Sequence, residues 1–173
     1  YSVVDSNLQK DKMGFEWLLT ERGVPQMYYG DEVLMGGVTN PDGWVRLDFP
    51  GGWNGDKVNA FTGEGLTQDQ SSVQSLIKTL ANFRKNSSAL KTGKLMQYIP
   101  ADGLYVYFRY NDDQTIMCVM NTSDKEQTID FSKYAERTAG FSTAVNVLSN
   151  SSYNISSPLT IDSLHSLILE LKK

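Results

Sequence analysis

Aromatic rings, carboxylates and a guanidinium set on glycine-rich backbone are the first feature of this chain with chemical meaning. They occur in Asn40-Pro41-Asp42-Gly43-Trp44-Val45-Arg46 and in Asp48-Phe49-Pro50-Gly51-Gly52-Trp53-Asn54-Gly55-Asp56. A sugar ring presents apolar C–H faces rimmed by hydroxyls, so it suits a flat amphipathic ring flanked by forked hydrogen-bonding groups. Trp44, Trp53, Arg46 and Asp42 are therefore candidate substrate-binding residues. The competing reading is that both tryptophans only plug this stretch onto its scaffold. Upstream, Tyr29-Gly30-Asp31-Glu32 stands where a candidate buried strand ends, and in parallel α/β sheets ligand groups gather at the carboxyl ends of strands. Adjacent residues on an extended segment point to opposite faces, so Asp31 and Glu32 do not suit the facing pair of carboxyls, about 5 to 5.5 Å apart, of a retaining glycosidase. Positioning the loop that follows, by accepting its backbone N–H groups, is the role expected of both.

Other chemistries fit poorly. Gly51 to Lys57 lacks the spacing of a phosphate-binding loop. Cys118 is the only cysteine, which excludes an internal disulfide and a cysteine-rich zinc site, and its setting in Ile116-Met117-Cys118-Val119-Met120 reads as core. His165 is the only histidine, too few for metal spacing, so no metal site is expected. Sixteen basic against twenty acidic residues give a net charge of -4 without a basic cluster, which argues against a nucleic-acid partner. No apolar run reaches the roughly 18 residues of a membrane span. Tyr1 follows no methionine and no basic-then-apolar leader opens the chain, so a preceding segment is expected to have been removed.

The elements that must position these residues can be read from periodicity. Asp5 and Ser6 offer an N-cap to a helix carrying Leu8, Met13, Phe15, Trp17, Leu18 and Leu19 and stopped by Gly23. Val24 to Tyr29 is a short apolar run of the kind a buried strand shows. A second, amphipathic helix is expected over Gln68 to Arg84, with Val73, Leu76, Ile77, Leu80 and Phe83 on its apolar face. Between them, Gly30 to Gly65 holds nine of the fourteen glycines and two of the three tryptophans. Its aromatic residues Trp44, Phe49, Trp53 and Phe61 argue for an ordered loop packed by its own side chains. After Thr92-Gly93 the period becomes two. Leu104 to Tyr110 and Ile116 to Met120 form a hairpin about Asn111-Asp112-Asp113, and further strands are expected at Lys94 to Ile99, Gln127 to Phe131, Ala144 to Leu148 and Leu164 to Leu171. The expected division is 1–91 and 92–173, the second part an antiparallel all-β sandwich.

Arg22-Gly23-Val24-Pro25-Gln26-Met27-Tyr28-Tyr29-Gly30-Asp31-Glu32 resembles the stretch that covers the eighth barrel strand of the α-amylase family, glycoside hydrolase family 13. Arg46 with Asp48-Phe49-Pro50-Gly51-Gly52-Trp53 resembles the following loop in its cyclomaltodextrinase and neopullulanase branch. The fold class that this implies is an α+β fragment: the last α/β unit of a (β/α)8 barrel, then a β-sandwich C-terminal domain. At 173 residues the chain is too short for a complete barrel, which needs about 250. The resemblance implies a retaining hydrolase of α-glucans whose Asp nucleophile, Glu acid/base and second Asp come from earlier barrel strands. None of the three is matched here, so the segment itself is expected to be inactive. Arg46 matches the family's substrate-binding arginine, whereas the acid usually found four residues earlier is displaced, Asn40 preceding Pro41 and Asp42 following it. No cofactor is implied, although calcium is bound by some members of the family. The expected partner is an α-glucan or maltooligosaccharide reached through the longer enzyme, with self-association of the truncated chain and with no nucleic acid or membrane. One cysteine and no leader fit either side of an inner membrane, with the periplasm slightly favoured. An alternative from another class is a non-catalytic carbohydrate-binding module in which Tyr98, Tyr105, Tyr107 and Tyr110 form a sugar platform, or a β domain that only braces the barrel.

Overall fold

The computed structural model describes residues 6–38 and 40–173, with Asp42 described by its backbone only. Helix α1 spans Leu8–Thr20 and is capped by Asn7, whose side chain accepts the Lys10 N–H at 3.0 Å. The cap therefore falls one residue after Ser6, which sits at φ 55°, and Asp5 lies outside the described residues. Helix α2, Gln68–Asn86, opens with a capping box in which Thr67 and Gln70 satisfy each other's backbone N–H groups. Val73 and Leu80, two turns apart, are its fully buried positions, and Leu76, Ile77 and Phe83 pack beside them. A short helix α3, Ser88–Thr92, leads into the strands.

Those strands are β1 (Lys94–Gln97), β2 (Leu104–Tyr110), β3 (Thr115–Asn121), β4 (Gln127–Ile129), β5 (Thr143–Asn146), β6 (Ser152–Asn154), β7 (Leu159–Ile161) and β8 (His165–Lys172). A one-turn helix α4, Ala135–Thr138, intervenes before β5. β2 and β3 form the expected hairpin, in register from Leu104↔Asn121 to Tyr110↔Thr115, and the Asn111 carboxamide closes the turn on Asp113 and Gln114 N–H. A six-stranded antiparallel sheet has the order β1-β2-β3-β8-β5-β6, and β4 pairs with β7 in a two-stranded sheet.

The larger sheet is covered on both faces, which is why every residue of β3 is buried. Tyr107, Cys118, Met120 and Ile168 face Met13, Leu19, Leu80 and Leu90 of the three helices. Val106, Phe108, Met117, Val119 and Leu169 face Ile129, Phe131 and Ile161 of the small sheet and its connection. The alternation expected of strands thus sorts two cores, one shared with the helices and one internal to the β part.

Not every expectation holds. Val24 to Tyr29 is not a strand: Val24 is 94% exposed and no ladder bond holds the segment among the described residues. A strand is stabilised by its neighbours, and among the described residues none lies beside this one. Strand β4 ends at Ile129, because Asp130 caps a 3-10 turn at Phe131–Tyr134 by accepting Ser132 N–H. Strands β6 and β7 have no counterpart in the sequence reading, since three-residue strands leave almost no periodic signal.

Candidate functional site

The loop from Gly30 to Gly65 is ordered by its own polar groups. Its first turn, a 3-10 piece at Asp31–Val33, is tied by two carboxylates: Asp31 accepts Tyr28 N–H at 3.0 Å and Glu32 accepts Gly30 N–H at 2.8 Å. The Tyr29 hydroxyl donates to the Leu47 carbonyl at 3.0 Å, pulling the middle of the loop toward its start. A second 3-10 turn, Asp42–Val45, follows the cis Asn40–Pro41 peptide and presents Trp44, with Arg46 at its end.

The third turn centres on Asp56, whose carboxylate accepts both Gly51 N–H at 2.8 Å and Trp53 N–H at 3.1 Å. Gly51 lies at φ 94°, and a Cβ there would come within 2.6 Å of the Asn59 side-chain oxygen, so no other residue fits. Asn59 in turn accepts Phe61 and Thr62 N–H, and the Phe49 and Phe61 rings stand 5.2 Å apart. Val33 and Ala60 of the loop and Val73 of α2 are all buried.

Trp44 and Trp53 are 60% and 66% exposed, so neither plugs the loop into a core. Arg46 is exposed too, and the Asp42 side chain lies outside the described residues. The loop therefore displays two indole rings and a guanidinium on fixed backbone. Asp31 and Glu32 each give one carboxylate oxygen to that backbone. Chemically the surface can stack an apolar face and bond hydroxyls. Sequence reasoning missed Asp56 and Asn59 as fasteners. Their signal was an Asp three residues after Trp53 and an Asn two before Phe61, spacings at which side chains close turns. Among the described residues there is no cluster of three or more His, Cys, Asp and Glu that could hold a metal ion. No described helix is long and apolar enough to cross a membrane.

The tyrosine platform does not form. Tyr107 is buried, with its hydroxyl 2.5 Å from Thr20 Oγ1 under α1, and Tyr105 shares that face and donates to Gln97. Tyr98 packs edge-on to Tyr134 on the opposite face, where Tyr110 lies under Arg137.

A second polar cluster lies between α1 and the sheet. Glu16 is buried and accepts a short hydrogen bond from Ser166, beside Thr20, Tyr107 and Cys118. Burial pushes its carboxyl up to about 7, against the opposing pull of Ser166, His165 and Lys12. Burial likewise pushes the Cys118 thiol up to about 12, consistent with an inert core side chain. His165 lies next to Ser166 on the strand but its ring meets the Ser163 carbonyl, so the two form no catalytic pair.

Residues 95–170 match the family model of the cyclo-malto-dextrinase C-terminal domain. A cyclomaltodextrin glucanotransferase of Bacillus sp. (strain 1-1) is 29% identical over 75% of this chain, and a cyclomaltodextrinase of Thermoanaerobacter pseudethanolicus is 26% identical over 74%. The chain spans only 16% and 20% of the length of these curated relatives. The crystal structure of an α-amylase from Geobacillus thermoleovorans, complexed with acarbose, superposes with a TM-score of 0.75 at 19% identity, over 98% of this chain and 34% of that one. The arrangement of helices, loop and antiparallel sheets is thus shared with that α-amylase, and residues 95–170 carry the pattern of a cyclo-malto-dextrinase C-terminal domain.

Proposed function

We propose that this segment supplies the sugar-facing loop and the bracing β domain of a retaining α-glucan hydrolase of cyclomaltodextrinase or neopullulanase type. Residues 1–91 would close the catalytic barrel and 92–173 would form the C-terminal domain. In this reading the indoles of Trp44 and Trp53 stack on glucose faces, and the forked Arg46 guanidinium bonds sugar hydroxyls. Asp42 assists from the same turn, and Asp31 and Glu32 hold the loop's entry. The catalytic carboxylates belong to other strands of the longer enzyme. The observation that carries the reading is the exposure of both tryptophans on a loop whose backbone is otherwise fastened. The names of the relatives, enzymes of cyclomaltodextrin metabolism, support an α-glucan as the partner. Exposed Val24, Tyr28 and Phe61 are where copies of the chain would associate.

The test is a titration of maltoheptaose against tryptophan fluorescence, paired with a reducing-sugar assay. The chain is expected to bind without turnover, and Trp44→Ala and Trp53→Ala each to raise the binding midpoint roughly tenfold, the effect of losing about 1.4 kcal/mol. Authentic turnover by the purified chain, or titrations indifferent to both substitutions, would contradict the proposal.

A further inference from the structure

The loop's conformation has anchors outside itself, on one face of α2. Gln70 and Gln74 are one turn apart and so point the same way. The Gln70 side-chain amide donates to the Val33 carbonyl at 2.9 Å, at the loop's entry. The Gln74 amide donates to the Ala60 carbonyl at 2.9 Å, near its exit. Trp44, Arg46 and Trp53 all lie between those two points, and the loop's limbs are joined there by Ala60 N–H donating to Pro50. Val33 and Ala60 are buried, so each carbonyl would lose a partner that solvent does not replace.

We infer that Gln70 and Gln74 are positioning residues for the sugar-facing surface, setting the distance between the turns that present Trp44 and Trp53. The inference rests on the sugar-cleft reading for its functional meaning, but the clamp is testable without it. Gln70 has two duties that separate cleanly. Its oxygen accepts Thr67 N–H in the capping box, which a glutamate performs equally well, whereas its donation to Val33 needs the amide nitrogen. The isosteric double variant Gln70→Glu/Gln74→Glu therefore keeps the helix cap and size while removing both donors.

Amide hydrogen exchange on the full chain decides the clamp. At pH 7.5 the double variant is expected to exchange the Met35, Ala60 and Gly63 amides about tenfold faster, with those of α2, β2 and β3 unchanged. Near pH 4, where a carboxyl is largely protonated and can donate again, the difference should shrink. Maltoheptaose titration of the same variant should show a midpoint raised about tenfold. Unchanged loop exchange at pH 7.5 overturns the clamp. Faster exchange with an unaltered saccharide midpoint overturns the positioning role. A wild-type chain with no saccharide response overturns the sugar-cleft reading, while the exchange result still decides the clamp.

Discussion

Glu16 shows how one residue escapes a sequence reading and then governs behaviour. The sequence pattern places Leu8, Met13, Phe15, Trp17, Leu18 and Leu19 on one helix and assigns no side to the acid among them. The structure buries Met13, Phe15 and Leu19 of that pattern and brings Glu16 and Thr20 inward with them, whereas Trp17 is 45% exposed. No propensity marks this phase, because it is set by what the sheet offers opposite, namely Ser166 and His165 on β8, Tyr107 on β2 and Cys118 on β3. Lys12 and Thr20 are the neighbours on its own helix. The carboxyl is raised from 4.5 to about 7, so the folded state holds a proton that the unfolded chain releases. Its contribution to stability is full below the unfolded value of 4.5 and disappears as pH rises through about 7. A loss of about 3 kcal/mol across that window follows from the size of the shift. Urea denaturation at pH 5 and pH 8 should register it, and Glu16→Gln should flatten the difference; an equally steep pH dependence in the variant would remove Glu16 as its source.

Elements are joined here by two guanidinium groups. Arg84 of α2 donates to the carbonyls of Leu19, Glu21 and Gly23, and Arg109 of β2 donates to those of Thr20 and Glu21. Both therefore satisfy the orphan acceptors at the end of α1 and place positive charge at the negative end of its dipole. Arg109 also reaches Ala89, Leu90 and Gly93, doing the same for α3. It is buried, and this convergence of carbonyls stands in for a counter-ion. Arg109→Met should lower stability by about 3 kcal/mol, since it leaves several buried acceptors unpaired. Arg109→Lys should recover little, because a single ammonium cannot serve two helix ends at once. Equilibrium unfolding of both variants checks this, and a lysine variant as stable as wild type would show that charge, not the forked geometry, matters. Sequence periodicity showed that Arg109 alternates into the same face as Tyr105 and Tyr107, but not what that face meets. Helix α2 and the β2–β3 hairpin were legible because their apolar spacing is long and regular. The segment from Val24 to Tyr29 was not, because its apolar character states a preference that only adjacent strands could fulfil.

At the scale of the whole molecule, the β part does not own all of its core. Tyr107, Cys118, Met120 and Ile168 are covered by helices that precede it in the chain, and α1 and α2 lie on opposite sides of the long loop. The boundary expected near residue 92 is visible in the sequence as a change of period, yet the packing across it is not, since alternation alone never reveals whether a sheet's second face is wet or dry. Trypsin should cut first at exposed Arg46 or Lys57, and the nicked pieces should then elute together under native conditions, held by α1 and α2 on the sheet. Release of a free 94–173 fragment would show that the helical face is dispensable. Helix α2 carries the remaining consequence. Gln70 and Gln74 grip the loop at its front, and Arg84 grips α1 at its rear. Each residue of a helix turns it by about 100°, so a one-residue insertion or deletion between Gln74 and Arg84 would swing one grip away from its carbonyl whenever the other was seated. The rod's length is thereby frozen, and variation in related chains should collect in the serine-rich turns of the sheet and spare this stretch.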